Sequence, residues 1–161
     1  MKKNKLFISV FLLVATGFCF AADPAEGFWL GIDDKNGKVT AGWEMYVDGN
    51  ILYGKILSVV GYPQDLKAIT CKASYRGFPL PGKVSEMPII GPPWIFGLSR
   101  DKPGVWSGGQ IIDLNDGNIY KCRITYHPQT DTLEMRGEIG LGIGRSQFWR
   151  KCSREEAMGL R

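Results

Sequence analysis

Histidine is nearly missing from this chain: its 161 residues hold one, His127, beside Pro128 in what reads as a turn. Cysteine is scarce too. There are four, and no pair has the Cys-x-x-Cys or Cys/His spacing that holds zinc. No serine or cysteine nucleophile is placed to use the lone imidazole, so nothing suggests a hydrolase triad. Long apolar runs are also lacking. Leu6–Phe20 is 15 residues, short of the roughly 20 that cross a bilayer as a helix, and nothing later resembles a second span.

That single run follows the basic start Met1-Lys2-Lys3-Asn4-Lys5 and ends in Cys19-Phe20-Ala21. The pattern predicts a secretory signal peptide over residues 1–21, cleaved after Ala21, and a periplasmic or secreted product. Phe18 before Cys19 is too bulky for a lipoprotein site. Cleavage changes the charge. Of 20 basic residues three lie in the leader, which has no acid, leaving 17 against 16 acidic residues, a net of +1 in place of +4. With that balance, and no basic run between aromatics, nucleic acid is not an expected partner. Residues 22–161 suffice for one domain with one core. The leader takes Cys19 with it, so Cys71, Cys122 and Cys152 remain, an odd number. Cys122 alternates with Tyr120, Ile124 and Tyr126 and should face the interior as a small apolar residue. That leaves Cys71–Cys152 as the candidate disulfide in an oxidising compartment.

What the chain has in quantity is alternation. Trp106–Arg150 contains apolar-alternating segments parted by Asn-Asp-Gly, Pro-Gln-Thr-Asp and Gly-x-Gly-x-Gly, the pattern of an antiparallel meander. Upstream, Gly27–Asp33, Lys38–Val47 and Ile51–Val59 read as strands joined by Asn-Gly and Asp-Gly turns. From Val60 to Pro93 alternation stops, and six of the nine prolines fall there. This is a long loop or lid that closes one barrel end or contacts a ligand. Trp94–Ser99, Trp106–Asp113, Asn118–Tyr126, Thr132–Glu138 and Arg145–Lys151 complete eight strands. The expected fold is all-β, an eight-stranded antiparallel up-and-down barrel that closes on itself and leaves no open edge. Ser153-Arg154-Glu155-Glu156 has capping-box spacing and predicts a short C-terminal helix.

Gly27-Phe28-Trp29 in the first strand, with an arginine at the end of the last, resembles the signature of lipocalins and the wider calycin superfamily. The resemblance implies that Trp29 sits in the closed end with Arg150, or failing it Arg145, packed across the ring. A wider resemblance covers nearly all of the mature chain. It rests on Gly27-x-Trp29, Tyr53-Gly54-Lys55-Ile56, Trp106-Ser107-Gly108-Gly109, Asp116-Gly117-Asn118-Ile119-Tyr120, Leu133-x-x-Arg136-Gly137 and Gly144-Arg145-Ser146-Gln147-Phe148-Trp149-Arg150. Together these are similar to the exported bacterial family catalogued as domain of unknown function 2147. That resemblance implies a compact lipocalin-like barrel outside the cytoplasm and no established substrate. The Gly91-Pro92-Pro93-Trp94 entry to the fourth strand departs from the pattern.

Several stretches imitate active sites. Asp113–Asn118 has a calcium-loop look, but glycine falls at position five and Ile124 at position twelve, so it reads as a hairpin turn. Gly140–Gly144 imitates a phosphate loop with neither the helix nor the lysine such a loop needs. Asp33, Glu44, Glu134 and Glu138 could meet only by folding, and alternation turns Glu44, Glu134 and Glu138 to solvent. No catalytic residue, cofactor or metal is expected, and no enzyme. The aromatics Trp43, Tyr53, Trp94, Phe96, Trp106, Tyr120 and Trp149, with Met45 and Ile124, either line a pocket for a small apolar or amphipathic molecule or fill the core. The two functional expectations are therefore noncovalent ligand binding in the barrel and an envelope interaction module with a filled barrel.

Overall fold

Strand length in this chain is set by turn residues. Asp48-Gly49-Asn50 reverses the chain with Gly49 at φ 61°, a left-handed conformation that a β-carbon disfavours. Asp33 and Asp113 shape their turns differently, each carboxylate accepting the backbone N–H two residues on. Asp116 does the same for Asn118.

The computed structural model describes residues 22–161. The leader and Cys19 lie outside the described residues. Eight strands follow in order: β1 Gly27–Ile32, β2 Val39–Asp48, β3 Ile51–Val59, β4 Pro93–Lys102, β5 Val105–Ile112, β6 Ile119–His127, β7 Thr132–Gly140 and β8 Ile143–Cys152. Each pairs antiparallel with the next, and β8 returns to β1, closing the barrel. The eight expected segments are these eight strands, within a few residues at each end. The expected helix is α1, Arg154–Met158, and the Ser153 side chain accepts the Glu156 N–H.

Because strands alternate direction, the β2–β3, β4–β5 and β6–β7 turns share one end with the chain's entry at Asp23. The β1–β2, β5–β6 and β7–β8 turns and the β3–β4 loop share the other. Directly paired residues point to the same face. The row Met45, Gly54, Ile95, Ile111, Tyr120 therefore lies inside, as do Trp106, Ile124, Met135 and Gln147. Phe96, Gln110, Lys121 and Glu138 form an outward row.

α1 is a strap on the outer wall. It covers the outward row Leu30, Gly42, Ser58, which is buried in consequence. A β-carbon on Gly42 would overlap the Ala157 carbonyl, and that carbonyl accepts the Ser58 hydroxyl at 2.6 Å.

The proline-rich loop is ordered and well fastened. Thr70 Oγ1 donates to the Leu114 carbonyl at 2.6 Å and the Tyr75 hydroxyl to Gly117 O at 2.7 Å. Ile90 bridges Ile56, and Trp94 Nε1 donates to Ile89 O at 2.6 Å. Phe78 packs edge-on against Phe96 at 5.5 Å, on the outer wall.

The expected Cys71–Cys152 bridge is not formed, and all three described cysteines are free. Strand parity explains this. Cys71 sits against the β5–β6 turn at one end, while Cys152 pairs with Phe28 toward the other. Cys122 is inside as expected, and burial pushes its thiol far above the ordinary range. Burial also raises the Cys71 and Cys152 thiols. Native protein should therefore leave Cys122 unalkylated, and denatured protein should release a thiol from each of the three. Recovery of a Cys71–Cys152 peptide in unreduced mass mapping would contradict the arrangement.

Candidate functional site

Asp23 ties off one end of the barrel. Its carboxylate accepts the Ala25 N–H at 3.0 Å, the Gly104 N–H at 3.1 Å and Trp106 Nε1–H at 3.0 Å, and it pairs with Arg100 at 3.0 Å. The Arg100 guanidinium lies over the Trp106 ring, 5.0 Å from its centroid. Trp29 is fully buried beside this knot, with Nε1 donating to Ala25 O at 3.1 Å. The cation facing Trp29 differs from expectation. Lys151 Nζ stands 5.6 Å from the ring, because Lys151 is the direct partner of Trp29. Arg150 pairs with Leu30, so it points outward and bonds Glu156 at 2.9 Å. The strand closure that Gly27, Trp29 and Arg150 were expected to mark is present; the cation is one residue further on.

Between the ends the barrel is packed. Trp43 and Trp149 stack at 4.9 Å, and Trp149 Nε1 donates to Gln147 Oε1 at 3.1 Å. Met45, Trp106 and Ile124 are buried in the same core. Tyr120 is at the rim on the inner face, its hydroxyl on Asp116 at 3.2 Å. The remaining candidates are elsewhere. Tyr53 lies outside, stacked on Tyr46 at 5.5 Å, because its neighbours Leu52 and Gly54 hold the inner positions. Phe96 is outside beneath Phe78, and Trp94 belongs to the junction with the long loop.

The far end is less firmly shut. The β1–β8 ladder has only three residue pairs, Phe28–Cys152, Trp29–Lys151 and Leu30–Arg150. Above them Arg145, pairing with Gly137 and so directed to the inner side, reaches across the seam to Asp34 in a two-pronged ion pair. Hydrogen bonding from Arg145 holds the Asp34 carboxyl below its usual range, and the clasp is ionised throughout the neutral range. Gln147 and Trp149 lie inward on β8 beside this seam, with Trp43 stacked on Trp149 from β2 and Met135 paired to Gln147 from β7.

Two further features were not legible beforehand. His127 Nε2 meets Glu134 Oε2 at 3.0 Å, and Ser146 donates to the other oxygen of the same carboxylate at 2.6 Å. Burial opposes ionisation of Glu134, yet the Ser146 and His127 hydrogen bonds outweigh it and lower its pKa. A carboxylate held ionised in this way is a weak base toward the serine. Asp23 itself carried no sequence signal, since its partners lie some eighty residues away. Glu44 and Glu138 are outward, paired with Lys55 at 2.9 Å and Arg136 at 2.7 Å. Among the described residues no cluster of three His, Cys, Asp or Glu side chains could hold a metal, and no helix is long and apolar enough to cross a membrane.

A family model described as an uncharacterized protein conserved in bacteria, DUF2147, matches residues 27–151. Among solved structures, the chain is similar to protein HP1028 from Helicobacter pylori, which is described as belonging to the lipocalin family. The TM-score is 0.66 at 19% sequence identity, covering 84% of this chain and 88% of that one. At that identity the likeness speaks for the fold alone. No curated protein matches the chain.

Proposed function

Since the chain belongs to the bacterial family DUF2147 and folds as a lipocalin-like barrel, we propose that it is an exported, non-catalytic binding module for a small apolar or amphipathic molecule. The ligand enters where β1 and β8 part. The observation that carries this reading is the short seam: the β1–β8 ladder has three residue pairs, with α1 strapped over its Leu30–Arg150 end, and beyond the ladder the Arg145–Asp34 ion pair spans the gap on the side of the Trp43–Trp149 stack. Opening the clasp exposes a flat aromatic surface with one amide, Gln147, beside it. Burial of ligand apolar surface there, at about 25 cal/mol per Å² before the costs of association, supplies the driving force. The leader Met1–Ala21 supports export, and the mature chain then begins at Ala22, one residue before the Asp23 knot.

Two measurements test the reading together: native mass spectrometry of gently purified protein, and titration with a fluorescent fatty acid. Co-purified small molecule and quenching of tryptophan emission are the expected results. Finding neither would remove the basis for ligand binding.

A second reading, an envelope interaction module with a filled barrel, is favoured by one feature. Ile139, Leu141 and Ile143 at the β7–β8 tip are 71%, 102% and 61% exposed, a group of aliphatics that a partner surface would cover. Crosslinking from position 141 to one reproducible partner would select it.

A further inference from the structure

Outside the barrel, and independent of the seam, a groove of about 560 Å³ crosses the wall of β4–β7. We propose that this groove is a second binding site, selective for a small molecule that joins an anionic group, carboxylate or phosphate, to a flat apolar body.

The shape follows from the strands. Gly97 and Gly108 both have left-handed φ, 74° and 77°, and lie where the register slips between β3 and β4 and between β5 and β6. A β-carbon on Gly108 would meet nothing within 4 Å, so the wall opens to empty space there. Phe96 lines the groove but is 2% exposed beneath Phe78, so with the bare glycine backbone it gives the depression an apolar floor rather than an open ring face. The volume falls in the range that holds drug-sized ligands, roughly 300–1,000 Å³.

The charges make the case for an anion. Lys121 and Arg123 line the groove, two residues apart on the outer face of β6, and neither makes an ion pair among the described residues. The β6–β7 register places Arg123 directly opposite Arg136. Like charges in that position repel across a strand pair. Arg136 turns to Glu138, Ser146 and the Gly142 carbonyl, so Arg123 is the member of this pair left uncompensated, and an anion in the groove would pair with it. The one acid lining the groove, Glu138, is already paired with Arg136 at 2.7 Å. Asp101 approaches the rim through the Ser107 hydroxyl, at 2.9 Å. The local balance after these pairings is two uncommitted cations beside an apolar floor. Two cations in one short groove suit a small anion rather than a polyanion.

Amide NMR of isotope-labelled protein titrated with 1-naphthoate tests this, with 1-naphthalenemethanol as the uncharged counterpart. Naphthoate is expected to shift Gly97, Gly108, Gly109, Gln110 and Lys121 and to leave Trp43 and Trp149 unmoved. The alcohol should bind at least about tenfold more weakly, and the double variant Lys121→Gln/Arg123→Gln should weaken naphthoate by a similar factor. Both side chains are exposed, and an unchanged circular dichroism spectrum verifies the fold. The site is refuted if naphthoate shifts map to the seam, if the alcohol binds equally well, or if the double variant binds as wild type. Failure of fatty acid binding at the seam leaves this result untouched, so the two sites stand or fall separately.

Discussion

Asp23→Ala is expected to lower the melting temperature by roughly 10 °C. The side chain has no exposure, whereas that of Arg100 is 47% exposed. Truncation leaves Trp106 Nε1–H and the Gly104 N–H without an acceptor inside the closed end, at about 1–3 kcal/mol for each buried donor. Arg100 recovers solvent and contributes less to the loss. The sum is about 3 kcal/mol, which at roughly 3–4 °C per kcal/mol for a domain of this size gives the stated shift. Asp23→Asn keeps the shape but turns part of the acceptor into a donor, and should fall between the two. Arg100→Ala should cost only about 1 kcal/mol. Thermal melts followed by circular dichroism check all three. If Asp23→Ala melts within about 2 °C of wild type, the knot does not hold the closed end.

Trp149→Ala is the larger perturbation, at about 4 kcal/mol. The ring is 1% exposed, stacks on Trp43 at 4.9 Å, and gives its N–H to Gln147. Deleting it leaves a void on the order of 100 Å³ between an indole face and an amide oxygen. Indole added back at millimolar concentration should recover several degrees of melting temperature through binding to the folded state. Benzene should recover less, because it cannot donate to Gln147. No rescue would show that the site collapses rather than staying open, and equal rescue by both would show that the bond to Gln147 adds nothing to the recovery. The variant also bears on function, because a barrel with a vacancy beside the seam should take up the fluorescent fatty acid more readily than wild type does.

The strand order was legible because turn residues and alternation are local, and every strand but β4 carried both. Facing was legible only where alternation was clean. Leu52, Gly54 and Ile56 hold the inner positions of β3, but a glycine in the middle hides the phase and leaves Tyr53 looking like a core residue. Trp94-Ile95-Phe96 are three apolar residues in succession with no phase at all, and the slip at Gly97 sets it. The cation over Trp29 was recoverable: with Trp149 inward, Arg150 must point out and Lys151 in. So was the separation of Cys71 from Cys152, by counting strand directions. Asp23 and the groove at Lys121 and Arg123 were not recoverable. Each depends on which residues of distant strands become neighbours, and no local pattern records that.

The strap at Gly42 and Ser58 has a temporal meaning. It joins the Ser58 hydroxyl to a carbonyl 99 residues further along the chain, and β8 closes on β1 only at its last residues. A chain emerging from its N-terminus presents β1 and β2 long before either β8 or the strap exists. The first strand keeps an unsatisfied edge, and Leu30 stays uncovered, until synthesis is nearly complete. Such long-range closure makes folding slow, and on the export proposed above it would leave the chain unfolded long enough to be threaded across a membrane before its barrel shuts.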